Sequence, residues 1–271
     1  MIFSDKSLSQ KLERTEGRAN ADFVETRARL QSDSGAAWIE VGGAYAMFDG
    51  PESPCTQTFG LGMFRETTSE HLDEIERFFD ERAAPVFHEI SPMANSSLMP
   101  LLNERGYRPV ELTSVMFREL GGQAADLKTQ NPQLVTRAIT PDEVELWAKT
   151  SADGWATENE GLADFMLDFG RISAQCNGAY PYLAELDGKA ISTGMMFIYE
   201  DVCMLAGAST VPEGRNRGAQ NALLEDRLTF AASKGCTLAI MGAAPGSQSQ
   251  RNAQKNGFSI AYTRTKWQLI R

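Results

Sequence analysis

The sequence contains few of the residues that covalent and metal-dependent enzymes use. It has two histidines, His71 and His88, and four cysteines among its 271 residues. The cysteines are far apart and none shows CxxC spacing, which argues against a zinc site and against a disulfide framework. Neither histidine lies in a recognisable nucleophile motif, so a Ser-His-Asp or Cys-His mechanism is not expected.

Long apolar runs and an excess of basic residues are also missing. No apolar run approaches the ~18 residues that span a bilayer, and the N-terminal segment lacks the basic start and apolar centre of a secretion signal. We therefore expect a cytoplasmic protein with no membrane partner. The formal net charge of −10 disfavours nucleic acid and mildly favours a cationic small molecule.

The predicted helices and strands repeat once along the chain. Gly106-Tyr107 and Gly257-Phe258, which lie 151 positions apart, each follow a short helix and precede a final strand. The segment 121–132 is rich in Gly, Gln, Asp and Asn and is predicted to be a linker. This pattern indicates an internal duplication with domains at 1–120 and 133–271. The chain is then a pseudo-dimeric monomer, or else a homodimer.

Several elements of the first half are predicted from apolar periodicity. The strand-like segment 36–48, which the turn 49–51 follows, predicts one strand, and 58–64 predicts another. An amphipathic pattern predicts a helix over 69–82, which Ser69 could cap.

The segment 211–220 lies between an apolar strand and an amphipathic helix. Its glycines and alanine remove bulk where a ligand could approach the backbone. The start of the following helix offers unpaired N–H groups and a positive dipole end, which suit a diphosphate. Arg215 and Arg217 add cationic charge in an acidic protein. A plain strand-to-helix connection with basic surface residues is the alternative.

The run Arg215-Asn216-Arg217-Gly218-Ala219-Gln220 resembles the acyl-CoA loop of the GNAT superfamily of N-acetyltransferases. The helix that ends at Gly257-Phe258 is similar to the last helix of that family. Because both halves share the outline, the chain resembles a tandem GNAT protein. The resemblance implies a mixed α/β (α+β) fold of two GNAT-like domains, each a central, mostly antiparallel sheet flanked by helices.

The same resemblance implies a direct transfer from acetyl-CoA, as co-substrate, to the amine of a small molecule, without a metal. Main-chain groups of Ser209, Thr210 and Val211 would contact the pantetheine arm, and Ser249 would flank it. A main-chain N–H near the end of the strand 202–208 would stabilise the oxyanion. The residues that would hold the diphosphate are Arg215, Asn216, Arg217, Gly218, Ala219 and Gln220.

Three positions depart from the family pattern. Gln220 stands where Gly or Ala is usual, Gly246 where Asn is common, and Ala253 where a tyrosine commonly protonates the leaving thiolate. Tyr262 could supply a hydroxyl instead, although a strand aromatic that only packs is the alternative. Glu158 is the candidate base or cation-binding residue, and an exposed acidic loop is its alternative.

The first half has lost the loop at the position that matches it. We take that position to be 64–70, which contains no glycine and carries Glu66 and Glu70. These carboxylates would repel a diphosphate, so the first half is expected to be structural. Two other functions compete with transfer: a catalytically silent acyl-CoA-binding or regulatory protein, and a nucleotide-binding protein. The absence of a Gly-Lys-Ser/Thr ending argues against the latter.

Overall fold

The computed structural model describes residues 3–121, 133–156 and 163–270. Of the predicted linker at 121–132, residues 122–132 lie outside these residues. The helices are α1 (Lys6–Leu30), α2 (Ser69–Asp80), α3 (Leu98–Glu104), α4 (Val144–Trp155), α5 (Ala163–Ser173), α6 (Ala219–Ser233) and α7 (Gln248–Lys255). The strands are β1 (Ala37–Val41), β2 (Ala44–Phe48), β3 (Gln57–Phe59), β4 (Phe87–Ile90), β5 (Tyr107–Glu119), β6 (Leu134–Ala138), β7 (Ala179–Leu186), β8 (Lys189–Tyr199), β9 (Val202–Thr210), β10 (Leu238–Ala243) and β11 (Ser259–Leu269).

The described residues form two compact units. Unit 1 is Met1–Arg118 with Ile240–Arg271, and unit 2 is Glu119–Ala239. Unit 1 therefore contains the end of the chain as well as its beginning. The predicted domain bounds, which follow the repeat along the sequence, stay a prediction.

Unit 1 is a sheet with helices, in the strand order β1-β2-β3-β4-β11-β5-β10, to which β10 contributes residues 240–243. The pair β3–β4 is parallel, whereas β1–β2, β2–β3, β4–β11 and β11–β5 are antiparallel. Leu72, Ile75 and Phe79 of α2 join Leu98 and Leu102 of α3 in the core on one face. The last strand of the chain is thus paired on both sides by strands of the first half.

Unit 2 is an antiparallel sheet in the order β9-β8-β7-β6. Trp147 and Ala148 of α4 pack on Leu183 and Met195 of this sheet. Both units combine a mostly antiparallel sheet with flanking helices, so the predicted mixed α+β class is confirmed. Among the described helices, none has the length and apolar content that crossing a membrane requires.

Three local predictions in the first half were wrong. The single strand expected over 36–48 is two strands, because Gly42 and Gly43 take positive φ angles of 59° and 85° and make a hairpin turn. The strand expected over 58–64 ends at Phe59, since Gly60 has a φ of 82°. Thr68, not Ser69, caps α2.

A buried ionic network holds β11 in place beside α1. Arg264 of β11 donates from Nε to Glu89 Oε2 of β4 at 2.9 Å and from Nη1 to Glu16 Oε2 of α1 at 2.8 Å. The hydroxyl of Tyr262 donates to Glu13 Oε1 at 2.8 Å. Burial raises the pKa of Glu13 to about 7. Between pH 4.5 and about 7, this carboxyl therefore stays protonated in the folded protein, whereas it is ionised in the unfolded chain.

We predict that Glu13→Gln changes how stability depends on pH. The folded protein binds an extra proton between the usual glutamate pKa of 4.5 and about 7, so its unfolding free energy falls as the pH rises through that interval. Glutamine cannot ionise and lacks this fall, which amounts to roughly 3 kcal/mol at most. Urea unfolding of both proteins from pH 4.5 to 8 measures the difference. A difference that does not change with pH would contradict the burial argument.

Candidate functional site

The connection from β9 to α6 contains two residues in the left-handed backbone conformation. A short 3-10 helix, Pro212–Gly214, follows Val211. Asn216 and Gly218 then take positive φ angles of 58° and 83°, and α6 starts at Ala219. Successive N–H groups in turns that contain left-handed residues can form a concavity that binds anions. The predicted strand, loop and helix order is therefore present here.

Helix α6 begins without a side-chain cap. Its N-cap residue is Gly218, which has no side chain to accept a hydrogen bond from the first-turn N–H groups. Those groups carry the positive end of the helix dipole. Arg215, Asn216, Arg217 and Gly218 are all exposed. A multiply charged anion at this point would gain main-chain hydrogen bonds and two nearby guanidinium groups.

Gln220 explains one departure from the family pattern, because its side chain turns into the protein. Its Nε2 lies 2.7 Å from Ser192 Oγ on β8 and 2.8 Å from Ser209 O on β9. It also lies 3.2 Å from Thr210 Oγ1. The amide thus ties the start of α6 to the ends of two strands and leaves the loop surface free of its bulk.

Strand β9 contains a bulge shortly before the loop. Thr193 pairs with Ser209, but Met195 pairs with Ala206, so Gly194 alone faces both Gly207 and Ala208. Gly207 has a φ of 59°, and a Cβ there would lie 3.0 Å from the Cβ of Met195. Ala206 and Ala208 are exposed. A bulge re-aims backbone groups and is common beside active sites.

Helix α4 packs closely on the end of β9. A Cβ on Gly154 would lie 1.9 Å from Ser209 Oγ and 2.9 Å from the backbone N of Thr210. Ser209 Oγ donates to the carbonyl oxygen of Ser151 at 2.8 Å. The hydroxyl of Ser209 therefore belongs to this packing. Sequence analysis missed Gly154 and Gly207, although a glycine inside a predicted strand is the usual signal of a bulge.

The predicted site residues fall into three groups. Ser209 to Gln220 are contiguous in unit 2. Ser249, exposed on α7, and Tyr262, buried on β11 with its hydroxyl on Glu13, belong to unit 1. Glu158 lies outside the described residues. The roles proposed for all of them stay predictions.

The matching connection in unit 1, from β3 to α2, is closed by its own side chains. Thr68 Oγ1 accepts from His71 N and His71 Nδ1 accepts from Thr68 N, both at 3.3 Å, so α2 carries a complete capping box. A Cβ on Gly60 would lie 2.9 Å from the ring of Phe64. The guanidinium of Arg14 lies 3.8 Å from the centre of that ring.

Because β3 ends at Phe59, this connection starts earlier than predicted and contains Gly60 and Gly62. The segment 64–70 leads into α2 as 215–220 leads into α6, and it contains no glycine. The two helix starts also differ in their caps. The helix start in unit 1 is satisfied by a cap, and the helix start in unit 2 is open.

Solved structures of GNAT proteins share this fold. A GCN5-related N-acetyltransferase from Kribbella flavida is 19% identical, with a TM-score of 0.61 over 90% of this chain and 93% of that one. A tandem GNAT protein from the clavulanic acid biosynthesis pathway is 12% identical, with a TM-score of 0.61 over 98% and 96%. A GCN5-related N-acetyltransferase from Sphaerobacter thermophilus is 16% identical, with a TM-score of 0.56 over 83% and 76%.

These likenesses confirm the predicted tandem GNAT fold. No protein-family model and no curated protein matches the sequence. In the parts of the chain that the structure describes, no cluster of three or more His, Cys, Asp or Glu residues could hold a metal ion.

We predict that Gln220→Glu destabilises the protein. The change is nearly isosteric but replaces the donating amide by a carboxylate that faces oxygen atoms of Ser192, Ser209 and Thr210. The lost hydrogen bonds and the new repulsion should lower the unfolding free energy by about 1–3 kcal/mol. Asn221→Asp, at the exposed next position, is the matched control and should change it by less than about 0.5 kcal/mol. Equal effects in urea unfolding would contradict the role of Gln220.

Proposed function

We propose that the protein is an acetyl-CoA-dependent N-acetyltransferase that acts on the amine of a small, cationic molecule. The observation that carries this proposal is the uncapped start of α6 behind the left-handed turn at Asn216 and Gly218. The GNAT fold supports acyl transfer in general, since the tandem protein and the two GCN5-related enzymes share it.

The diphosphate of acetyl-CoA would bind at the start of α6. Main-chain N–H groups from Asn216 to Gln220 would donate to its oxygens. Arg215 and Arg217 are exposed beside them and would add charge-assisted contacts. The capping box at the start of α2 already engages the N–H groups of Thr68 and His71, and Glu66 and Glu70 would repel a diphosphate, so the first half would not bind CoA in this way.

The pantetheine and the thioester would follow strand β9. Main-chain groups of Ser209, Thr210 and Val211 would contact the arm, with Ser249 beside it as the family resemblance implies. The main chain at the bulge, where Gly207 is half-buried and Ala208 exposed, would donate an N–H to the thioester oxygen. Such a donor stabilises the oxyanion more than the ground-state carbonyl, which accelerates the reaction.

In the reaction, a neutral amine attacks the thioester carbonyl, and a tetrahedral oxyanion forms. The carbon–sulfur bond then breaks, and CoA leaves as the thiolate while the amine loses a proton. Glu158 is the proposed base or cation-binding group. The hydroxyl of Tyr262 donates to Glu13 in the buried network, which supports its alternative as a strand aromatic that packs. Ala253 of α7 has a methyl side chain and cannot supply a proton to the thiolate. A thiolate leaves without full protonation near neutral pH, so positioning would account for much of the rate.

We predict that Gly218→Asp weakens acetyl-CoA binding at least about tenfold, or ~1.4 kcal/mol. The added carboxylate lies at the open helix start and repels the diphosphate. Gly235→Asp is the matched control because Gly235 lies past the other end of α6 with a positive φ of 89° and open space for a Cβ, as Gly218 has. This control carries the same backbone strain and charge but should bind normally. Isothermal titration calorimetry measures both, and equal affinities would remove the α6 start from the mechanism.

We also predict that CoA thiol is released when acetyl-CoA is mixed with the correct acceptor. A panel of small diamines, aminoglycosides and amino acid amides tests this with a thiol reagent, and mass spectrometry identifies the acetylated product. Gly218→Asp should lower kcat/KM for acetyl-CoA by a similar factor of about ten. Tight acetyl-CoA binding without thiol release across the whole panel would support the catalytically silent protein instead.

A further inference from the structure

Arg227 of α6 is a buried cation whose partners are all main-chain oxygens. The residue is 3% exposed. Its Nε donates to Leu223 O at 2.9 Å, and its Nη1 donates to Met195 O at 2.8 Å and to Ala206 O at 3.4 Å. Within the described parts of the chain, no carboxylate forms an ion pair with it. A buried guanidinium without a counter-charge is costly, so packing alone does not explain it.

The guanidinium lies at the bulge of β9. Met195 and Ala206 are the register pair on one side of the bulge. A Cβ on Gly194 would lie 2.6 Å from Arg227 Cζ, so the planar group rests directly on the residue that faces Gly207 and Ala208. Glycine at this position makes room for the guanidinium, which binds carbonyl oxygens on both strands beside the bulge.

The side chain keeps its charge at neutral pH. Burial lowers the pKa of Arg227 only to about 10. Cys203 and Tyr182 are the titratable groups that act on it most. The pKa of Cys203 is raised by its hydrogen bond with Cys236, and burial raises the pKa of Tyr182, so both stay neutral. A positive charge without an anionic partner therefore lies beneath the bulge.

We propose that Arg227 is a positioning residue for acyl transfer, which fixes the carbonyls of Met195 and Ala206 and so orients the bulge N–H groups toward the thioester oxygen. This inference rests on the proposed function. Helix α6 then serves both ends of the same substrate: its first turn binds the diphosphate, and Arg227, roughly 12 Å along its axis, sets the geometry at the acyl group. The buried charge adds a favourable potential for the developing oxyanion.

The carbonyl carbon of bound acetyl-CoA reports this positioning without any acceptor. Acetyl-CoA labelled with ¹³C at the carbonyl is titrated into the full-length protein, and its NMR chemical shift is compared with that of the free thioester. A hydrogen bond to the thioester oxygen moves the resonance downfield. We expect Arg227→Met to lose at least half of that shift while the dissociation constant changes less than threefold. Arg227→Lys, which keeps the charge and one donor, should give an intermediate shift.

Leu228→Ala controls for lost stability. It removes a buried side chain at the next position of α6 but no hydrogen bond to β8 or β9, so it should lower the melting temperature and keep the full shift. If Arg227→Met does not fold, the reduced shift of Arg227→Lys carries the test.

Three outcomes overturn the inference. Arg227→Met could bind acetyl-CoA with an unchanged shift, bound and free thioester could have the same shift in the parent protein, or Leu228→Ala could lose the shift equally. Failure of the parent protein to bind acetyl-CoA is a different result, because it rejects the proposed function itself.

Discussion

The open start of α6 is the constraint around which unit 2 is arranged. Helix starts expose main-chain donors that need partners, and glycine at the N-cap leaves these donors to water or to a ligand. Gln220, from the first turn, binds oxygens of β8 and β9 and fixes the helix start against the sheet. The same helix carries Arg227 to the bulge of β9. One helix therefore links an uncapped start to the bulge of β9.

In unit 1, the matching connection from β3 to α2 is filled and capped by its own side chains. Thr68 and His71 satisfy the start of α2, and Phe64 fills the space beside Gly60. Its buried charges serve the sheet instead: Arg264 joins β11 to β4 and α1 through Glu89 and Glu16. A buried pair of this kind costs desolvation but penalises any other register. These ion pairs with residues of the first half therefore hold β11, the last strand, in its register.

Much of the candidate site could be predicted because its signals are local. Gly218, the flanking arginines and the helix periodicity lie within one short segment, and their meaning depends on few distant contacts. The position of β11 could not be predicted, since it depends on strands of the other half. The inward direction of Gln220 and the burial of Arg227 depend on acceptors in β8 and β9. Sequence also misplaced the end of β3, because apolar residues after Gly60 continue a strand-like pattern.

A crystal structure of the protein with CoA tests the central claim most directly. The account predicts that the diphosphate lies on the N–H groups of residues 216–220 at the start of α6, with the pantetheine against β9, and that the start of α2 stays empty. A diphosphate bound at Thr68 and Ser69, or bound away from both helix starts, would contradict it.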